Sequence, residues 1–171
     1  MQQPGINITV THVQYGCPLV ASEVAGKEAA RAVYNLFRLH PETFPHIRYD
    51  YVHRAIFKTG GIIVVSGGRL LGALIYKEYK KPYGLALQGD ILICQIVARE
   101  QRQGIGSVMM HSLLQYNTNT FAQCNANMFV TVRESNMEAR LFYEKHGFEI
   151  IKRTSWKGGT IPGLVYWRRK A

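Results

Sequence analysis

The stretch from Asp90 to Asn117 constrains the fold more than any other part of the chain. Asp90-Ile91-Leu92-Ile93-Cys94-Gln95-Ile96-Val97-Ala98 is an almost continuous apolar run of strand length, the pattern of a strand buried on both faces. Gln101-Arg102-Gln103-Gly104-Ile105-Gly106 follows and leads directly into SVMMHSLLQYN, in which Val108, Met109, Leu113 and Tyr116 lie along one helical side. A second unit of the same shape comes next. NMFVTVR reads as a strand, Ser135-Asn136 opens the helix MEARLFYEKHG, and Gly147 stands where a helix is closed. Successive strand-loop-helix units predict a mixed α/β fold.

The rest of the chain fits around these units. Asn7 to Val13 alternates apolar and polar residues and predicts a short strand. Ser22 is a candidate N-cap for an amphipathic helix that carries Val24, Ala29, Val33, Leu36 and Phe37 and ends before Pro41. Residues 41–58, interrupted by Pro45, predict a broken second helix. IIVV, Gly67-Gly68 and RLLGALIYKEY make a hairpin, KKPYGLALQG a loop, and FEIIKRTSW and GLVYWRR two final strands. There is no internal repeat and no linker-like tract, so residues 1–171 are expected to form one domain.

Composition removes several function classes. With 47% apolar and 19% charged residues the chain is neither disordered nor fibrous. Its longest nearly pure apolar stretch, Leu70 to Tyr76, is about a third of the roughly 20 residues that a membrane-spanning helix needs, so no membrane association is expected. Cys17, Cys94 and Cys124 are odd in number and lack CxxC spacing, which argues against a disulfide framework or a zinc knot and for a cytoplasmic location. Lysine and arginine outnumber aspartate and glutamate by 21 to 11, a formal charge of +10, which favours a polyanionic or phosphate-rich partner.

The glycine loop has a direct physical reading. Gly104 and Gly106 remove side chains where a ligand could approach the backbone, and the first N–H groups of the following helix carry partial positive charge. Such a place suits pyrophosphate, although the loop matches neither GxGxxG nor GxxxxGK[ST], and a plain strand-to-helix turn explains the glycines equally well.

At this point the sequence resembles the GNAT (GCN5-related N-acetyltransferase) superfamily. Gln101, Gly104 and Gly106 match its R/Q-x-x-G-x-G/A acyl-CoA signature, and Asn136, Ala139, Tyr143, Gly147 and Phe148 match its N-x-x-A-x-x-x-Y-x-x-x-G-F helix. The two motifs occur in the family's order, about 30 residues apart. The resemblance implies a GNAT fold, with a mixed, twisted central sheet of six or seven strands and about four helices. It also implies an acyl-CoA-dependent N-acyltransferase, with acetyl-CoA as co-substrate and a primary amine of a small molecule or protein as acceptor, through direct attack in a ternary complex.

Residue by residue, the resemblance implies that the loop Gln101, Arg102, Gln103, Gly104, Ile105 and Gly106, with Ser107 in the first helical turn, holds the CoA pyrophosphate. Backbone groups of Ile96, Val97 and Ala98 would align the pantetheine arm; family members commonly carry proline where this chain has Ala98. Asn136 would touch the cofactor, and Tyr143 would be the general acid that protonates the departing thiolate. Read from the residues alone, Asn136 is equally a helix cap and Tyr143 a packed aromatic. Glu78 is the favoured general base, although Lys77, Lys80 and Lys81 around it also fit a solvated charge; Asp90, Glu100, His53 and His111 stand behind it. The histidines are spaced too irregularly to suggest a metal site.

The charge leaves further readings open. Lys152, Arg153, Lys157, Arg168, Arg169 and Lys170 are interleaved with Trp156, Tyr166 and Trp167, a composition that suits nucleic acid and suits solvated edge strands equally. An acceptor carried on nucleic acid, as in the aminoacyl-tRNA-acetylating toxins of the superfamily, is one alternative. A non-catalytic CoA-binding or nucleic-acid-binding module is another. Family resemblance also admits a homodimer.

Overall fold

The computed structural model describes residues 8–14, 23–120 and 126–169. Ser22, Cys17, Cys124 and Lys170 lie outside the described residues. In chain order the elements are β1 (Thr9–Gln14), α1 (Glu23–Phe37), α2 (Tyr49–Lys58), β2 (Gly60–Ser66), β3 (Arg69–Glu78), β4 (Ile91–Ala98), α3 (Ile105–Thr120), β5 (Met128–Arg133), α4 (Met137–Lys145), β6 (Glu149–Trp156) and β7 (Ile161–Arg168). The strands form one mixed sheet in the order β1-β2-β3-β4-β5-β7-β6, so the described residues hold seven strands and four α-helices, in line with the expected six or seven strands and about four helices. The chain forms two compact units, Met1–Tyr76 with Gln95–Gln115, and Lys77–Cys94 with Tyr116–Ala171.

In the first unit β1 runs antiparallel to β2, from Thr9 opposite Val65 to Gln14 opposite Gly60. The β2–β3 hairpin closes on the pair Ser66 and Arg69. Gly67 and Gly68 both take positive φ, 54° and 76°, as a two-residue turn that follows the strand twist requires. Helix α1 buries Ala30, Val33, Leu36 and Phe37, and α2 buries Val52, Ala55 and Ile56. Residues 41–46 form turns, so the expected broken helix is α2 alone, starting at Tyr49.

Helix α3 buries Ile105, Met109, Met110 and Leu113. It lies so close to β3 that a Cβ placed on Gly72 would stand 2.6 Å from Ile105 Cγ2 and 3.0 Å from Met109 Cε. Gly72 is therefore the residue over which the start of α3 is seated.

The second unit is built on β5, β7 and β6. Strands β4 and β5 run parallel over Ile91–Ile93 and Met128–Val130, while β7 lies antiparallel between β5 and β6. Asp90 is 3% exposed, and its carboxylate accepts hydrogen bonds from the Leu87 amide at 2.8 Å, the Asn127 amide at 2.9 Å and the Asn127 side chain at 3.2 Å. This carboxylate ties the loop before β4 to the residue before β5. On α4 the Asn136 side chain accepts from the Ala139 amide at 3.1 Å, Glu138 and Lys145 complement the helix dipole, and Gly147 follows at φ 78°.

Strand β4 departs from its expected burial. Ile91, Ile93 and Val97 are buried, whereas Leu92, Cys94, Gln95, Ile96 and Ala98 are only half-buried. An apolar run cannot by itself distinguish a strand covered on both faces from one whose second face is partly open.

Candidate active site

The sequence-derived site residues divide between the two units. Ile96 to Ser107 belong to the first, and Glu78, Asn136 and Tyr143 to the second.

In the first unit, residues 101–104 are exposed, while Ile105 turns inward as the first buried residue of α3. Arg102 and Gly104 both adopt left-handed φ, 61° and 77°, so the loop winds tightly just before the helix. A Cβ on Gly104 would have no atom within 4 Å. The glycine is therefore required by its backbone angle and not by crowding, and the space over it is open. The Gly104 carbonyl accepts the first helical bond, from the Val108 amide at 3.0 Å. An open, tightly wound loop at the N-terminus of a sixteen-residue helix has the geometry and polarity to take a phosphate group.

Just upstream, the Ala98 carbonyl bonds to His40 Nε2 at 2.9 Å, and the Arg99 guanidinium donates to the Leu70 carbonyl at 2.8 Å. The end of β4 is thus held by two side chains. His40 sits 58 residues from Ala98, and no periodicity or motif marks it.

In the second unit Tyr143 is 3% exposed on the inner side of α4, with Phe142, Phe148 and Tyr166 rings at 5.3, 5.5 and 6.5 Å. Burial pushes its phenol well above the ordinary tyrosine value, with a smaller contribution from the Cys94 thiol. Such a phenol stays protonated across the working pH range and can serve as a donor. Burial likewise raises the phenol of half-buried Tyr79, with Cys94 again contributing. Both tyrosines therefore lie within electrostatic reach of Cys94. Tyr79 stands at the end of the RLLGALIYKEY segment with no motif around it, so nothing in the sequence singles it out. Cys94 itself is half-buried, its Sγ 3.6 Å from the Leu92 carbonyl.

Glu78 is held by the Lys80 ammonium at 2.8 Å, with its side chain 31% exposed, an arrangement that suits a solvated ion pair. Of the other base candidates, Asp90 is committed to the amide bonds above, and Glu100 faces Arg69 at 3.8 Å on the surface. His53 lies 5.8 Å from the Tyr49 ring, and His111 is exposed. Among the described residues no group of three or more metal-ligating side chains is present, and no helix is long and apolar enough to cross a membrane.

No curated protein matches the chain by sequence. Many solved structures share its fold. One is the loading GNATL domain of CurA from Lyngbya majuscula, with TM-score 0.72, 14% identity, and 95% of this chain and 97% of that one covered. A second is the ribosomal-protein-S18-alanine N-acetyltransferase from Escherichia coli, with TM-score 0.67, 16% identity, and coverage of 96% and 95%. A third is NAA60 from Arabidopsis thaliana in complex with acetyl-CoA, with TM-score 0.66, 14% identity, and coverage of 94% and 98%. The model of the acetyltransferase (GNAT) family matches residues 30–148, which include both the glycine loop and the Asn136–Phe148 segment, and the chain therefore belongs to that family.

Proposed function

We propose that this acetyltransferase-family protein moves an acetyl group from acetyl-CoA to a primary amine of a small molecule or protein, with residues 1–171 acting as one catalytic domain. The observation that carries the reading is the loop at the start of α3, where left-handed Arg102 and Gly104 leave the backbone open at a helix N-terminus. Family membership supports it. So does the acetyl-CoA bound by NAA60, a protein of the same fold.

In this proposal the backbone of Gln101, Arg102, Gln103, Gly104, Ile105 and Gly106, with Ser107, binds the pyrophosphate. Backbone groups of Ile96, Val97 and Ala98 align the pantetheine arm and polarise the acyl carbonyl, with His40 and Arg99 fixing the strand end that presents them. Asn136 adds a cofactor contact through its side-chain NH2, while its Oδ1 caps α4. The amine nitrogen bonds to the acyl carbon, the carbon–sulfur bond breaks, and the amine proton leaves to a base, for which Glu78 is the candidate on this chain. The departing sulfur is met by the Tyr143 hydroxyl, which burial keeps protonated. Direct transfer in a ternary complex requires no nucleophile on the protein.

The test is acetyl-CoA turnover on a panel of small amines and peptide N-termini. Tyr143→Phe should lower kcat by about 10²-fold or more, within the usual range for loss of a general acid, while leaving acetyl-CoA affinity unchanged. Full activity in Tyr143→Phe would remove the general-acid role. Full activity in Glu78→Gln would assign the amine proton to another acceptor.

A further inference from the structure

The sheet of the second unit has a face that the acyl-transfer reading leaves unused. Strand register defines it. Phe129, Trp167 and Glu149 are opposed across β5, β7 and β6, as are Thr131, Val165 and Lys152, and then Arg133, Gly163 and Thr154. Side chains directly opposed across antiparallel strands share a face, and so do alternate residues along a strand. The other face is the one covered by α4, because Tyr166 bonds to Glu144 at 3.0 Å and to Arg140 at 3.3 Å.

Phe129 is buried at one end of this face, whereas Thr131 and Arg133 are exposed toward the other, and at that exposed end the six-membered ring of the Trp156 indole occupies the space above Gly163, where any Cβ would overlap it. Trp156 nevertheless remains 37% exposed. An indole seated on a glycine costs little further ordering when its outer surface takes a second ring. Exposed Arg133 lies opposite Gly163 on the far side, and exposed Lys152 is two residues before Thr154 on β6. Farther along, the Arg169 guanidinium lies 4.7 Å over the Trp167 ring. Three cations therefore flank two indoles, with Glu149 as the opposing charge on these register rows.

We propose that this face binds single-stranded nucleic acid, with a base stacked on Trp156 and phosphates held by Arg133, Lys152 and Arg169. The inference does not depend on acyl transfer. Cations alone would bind any polyanion, whereas aromatic rings set between cations favour a ligand that alternates phosphates with flat bases. The chain's formal +10 draws such a ligand toward the surface.

The test is fluorescence anisotropy of labelled twelve-nucleotide oligo(U) and oligo(dT), titrated with the intact protein at several salt concentrations. A twelve-residue poly-glutamate peptide is the polyanion control. Binding to an oligonucleotide is expected, with a log–log salt slope near −2 for about three phosphate contacts on a single strand. Quenching of tryptophan emission is expected on binding. Trp156→Ala should weaken binding roughly tenfold while Trp156→Phe retains most of it. The pair Arg133→Gln and Lys152→Gln should flatten the salt slope by about 1 to 1.5, and thermal melting would show whether each variant is folded. Equal affinity for poly-glutamate would overturn the stacking claim in favour of a plain polyanion surface. No binding of either oligonucleotide at low salt, or Trp156→Ala and the double variant both binding like wild type, would overturn the proposal outright.

Discussion

Gly72 offers a sharp test of how the glycine loop and the start of α3 are seated. Changing Gly72 to Ala puts a methyl group 2.6 Å from Ile105 Cγ2 and 3.0–3.1 Å from the Met109 thioether end, where carbon atoms normally rest 3.5–4.0 Å apart. Met109 can swing its terminal methyl aside. Ile105 cannot, because Cγ2 sits on a branched carbon next to the helix backbone, so the first turn of α3 must lift from β3. Overpacking of this kind costs about 1–3 kcal/mol. Loss of the glycine's freedom in the unfolded chain returns roughly 0.4–1 kcal/mol. The net expectation is a destabilisation of about 1–2 kcal/mol, or a melting temperature lower by roughly 2–8 °C for a chain of this size. Urea unfolding would measure it in a double-mutant cycle with Ile105→Ala. Removing the obstructing methyl should make the double variant less costly than the sum of the singles by about 1 kcal/mol. Strict additivity, or a neutral Gly72→Ala, would refute the close approach of α3 to β3.

Other outcomes follow from the same geometry. Asp90→Ala strands the Leu87 and Asn127 amides without their buried acceptor and should cost about 3 kcal/mol by chemical denaturation, with Asp90→Asn intermediate. The raised Tyr143 phenol means that the unfolded chain loses its proton first. Stability should therefore decline as pH rises above about 10, and Tyr143→Phe should lessen that decline in alkaline melts. His12 behaves in the opposite sense. Burial lowers its pKa from 6.5, so the unfolded state gains a proton first and stability falls as pH drops through that value. His12→Asn should reduce this acid slope.

The sequence disclosed most where local chemistry dictates structure. The Gly67-Gly68 turn, the Asn136 cap, the Gly147 stop and the left-handed Gly104 are short-range requirements, and each is met where the residues stand. The pattern of apolar residues likewise placed β4, β5 and α4 within a residue or two, and α3 within three. Long-range pairings left no such mark. Nothing local announces that His40 holds the Ala98 carbonyl or that Asp90 binds Asn127, because each link is made only when distant segments meet. Burial of Tyr143 and the half-open second face of β4 are decided by neighbouring layers and not by the residues' own order. The +10 charge, legible at once, needed strand register to show which cations share a face with Trp156 and Trp167.

A thermal-shift titration with acetyl-CoA, with ATP as the control and Gly104→Asp as the variant, tests the central claim most directly. A ligand bound only by the folded state adds about 2.7 kcal/mol of stability at a hundredfold excess over Kd, which for this size of chain is a rise of roughly 5–11 °C. That rise is expected with acetyl-CoA, none with ATP, and its loss in Gly104→Asp, where a carboxylate would stand in the open space over the loop. No shift at millimolar acetyl-CoA, or an equal shift with ATP, would contradict the claim.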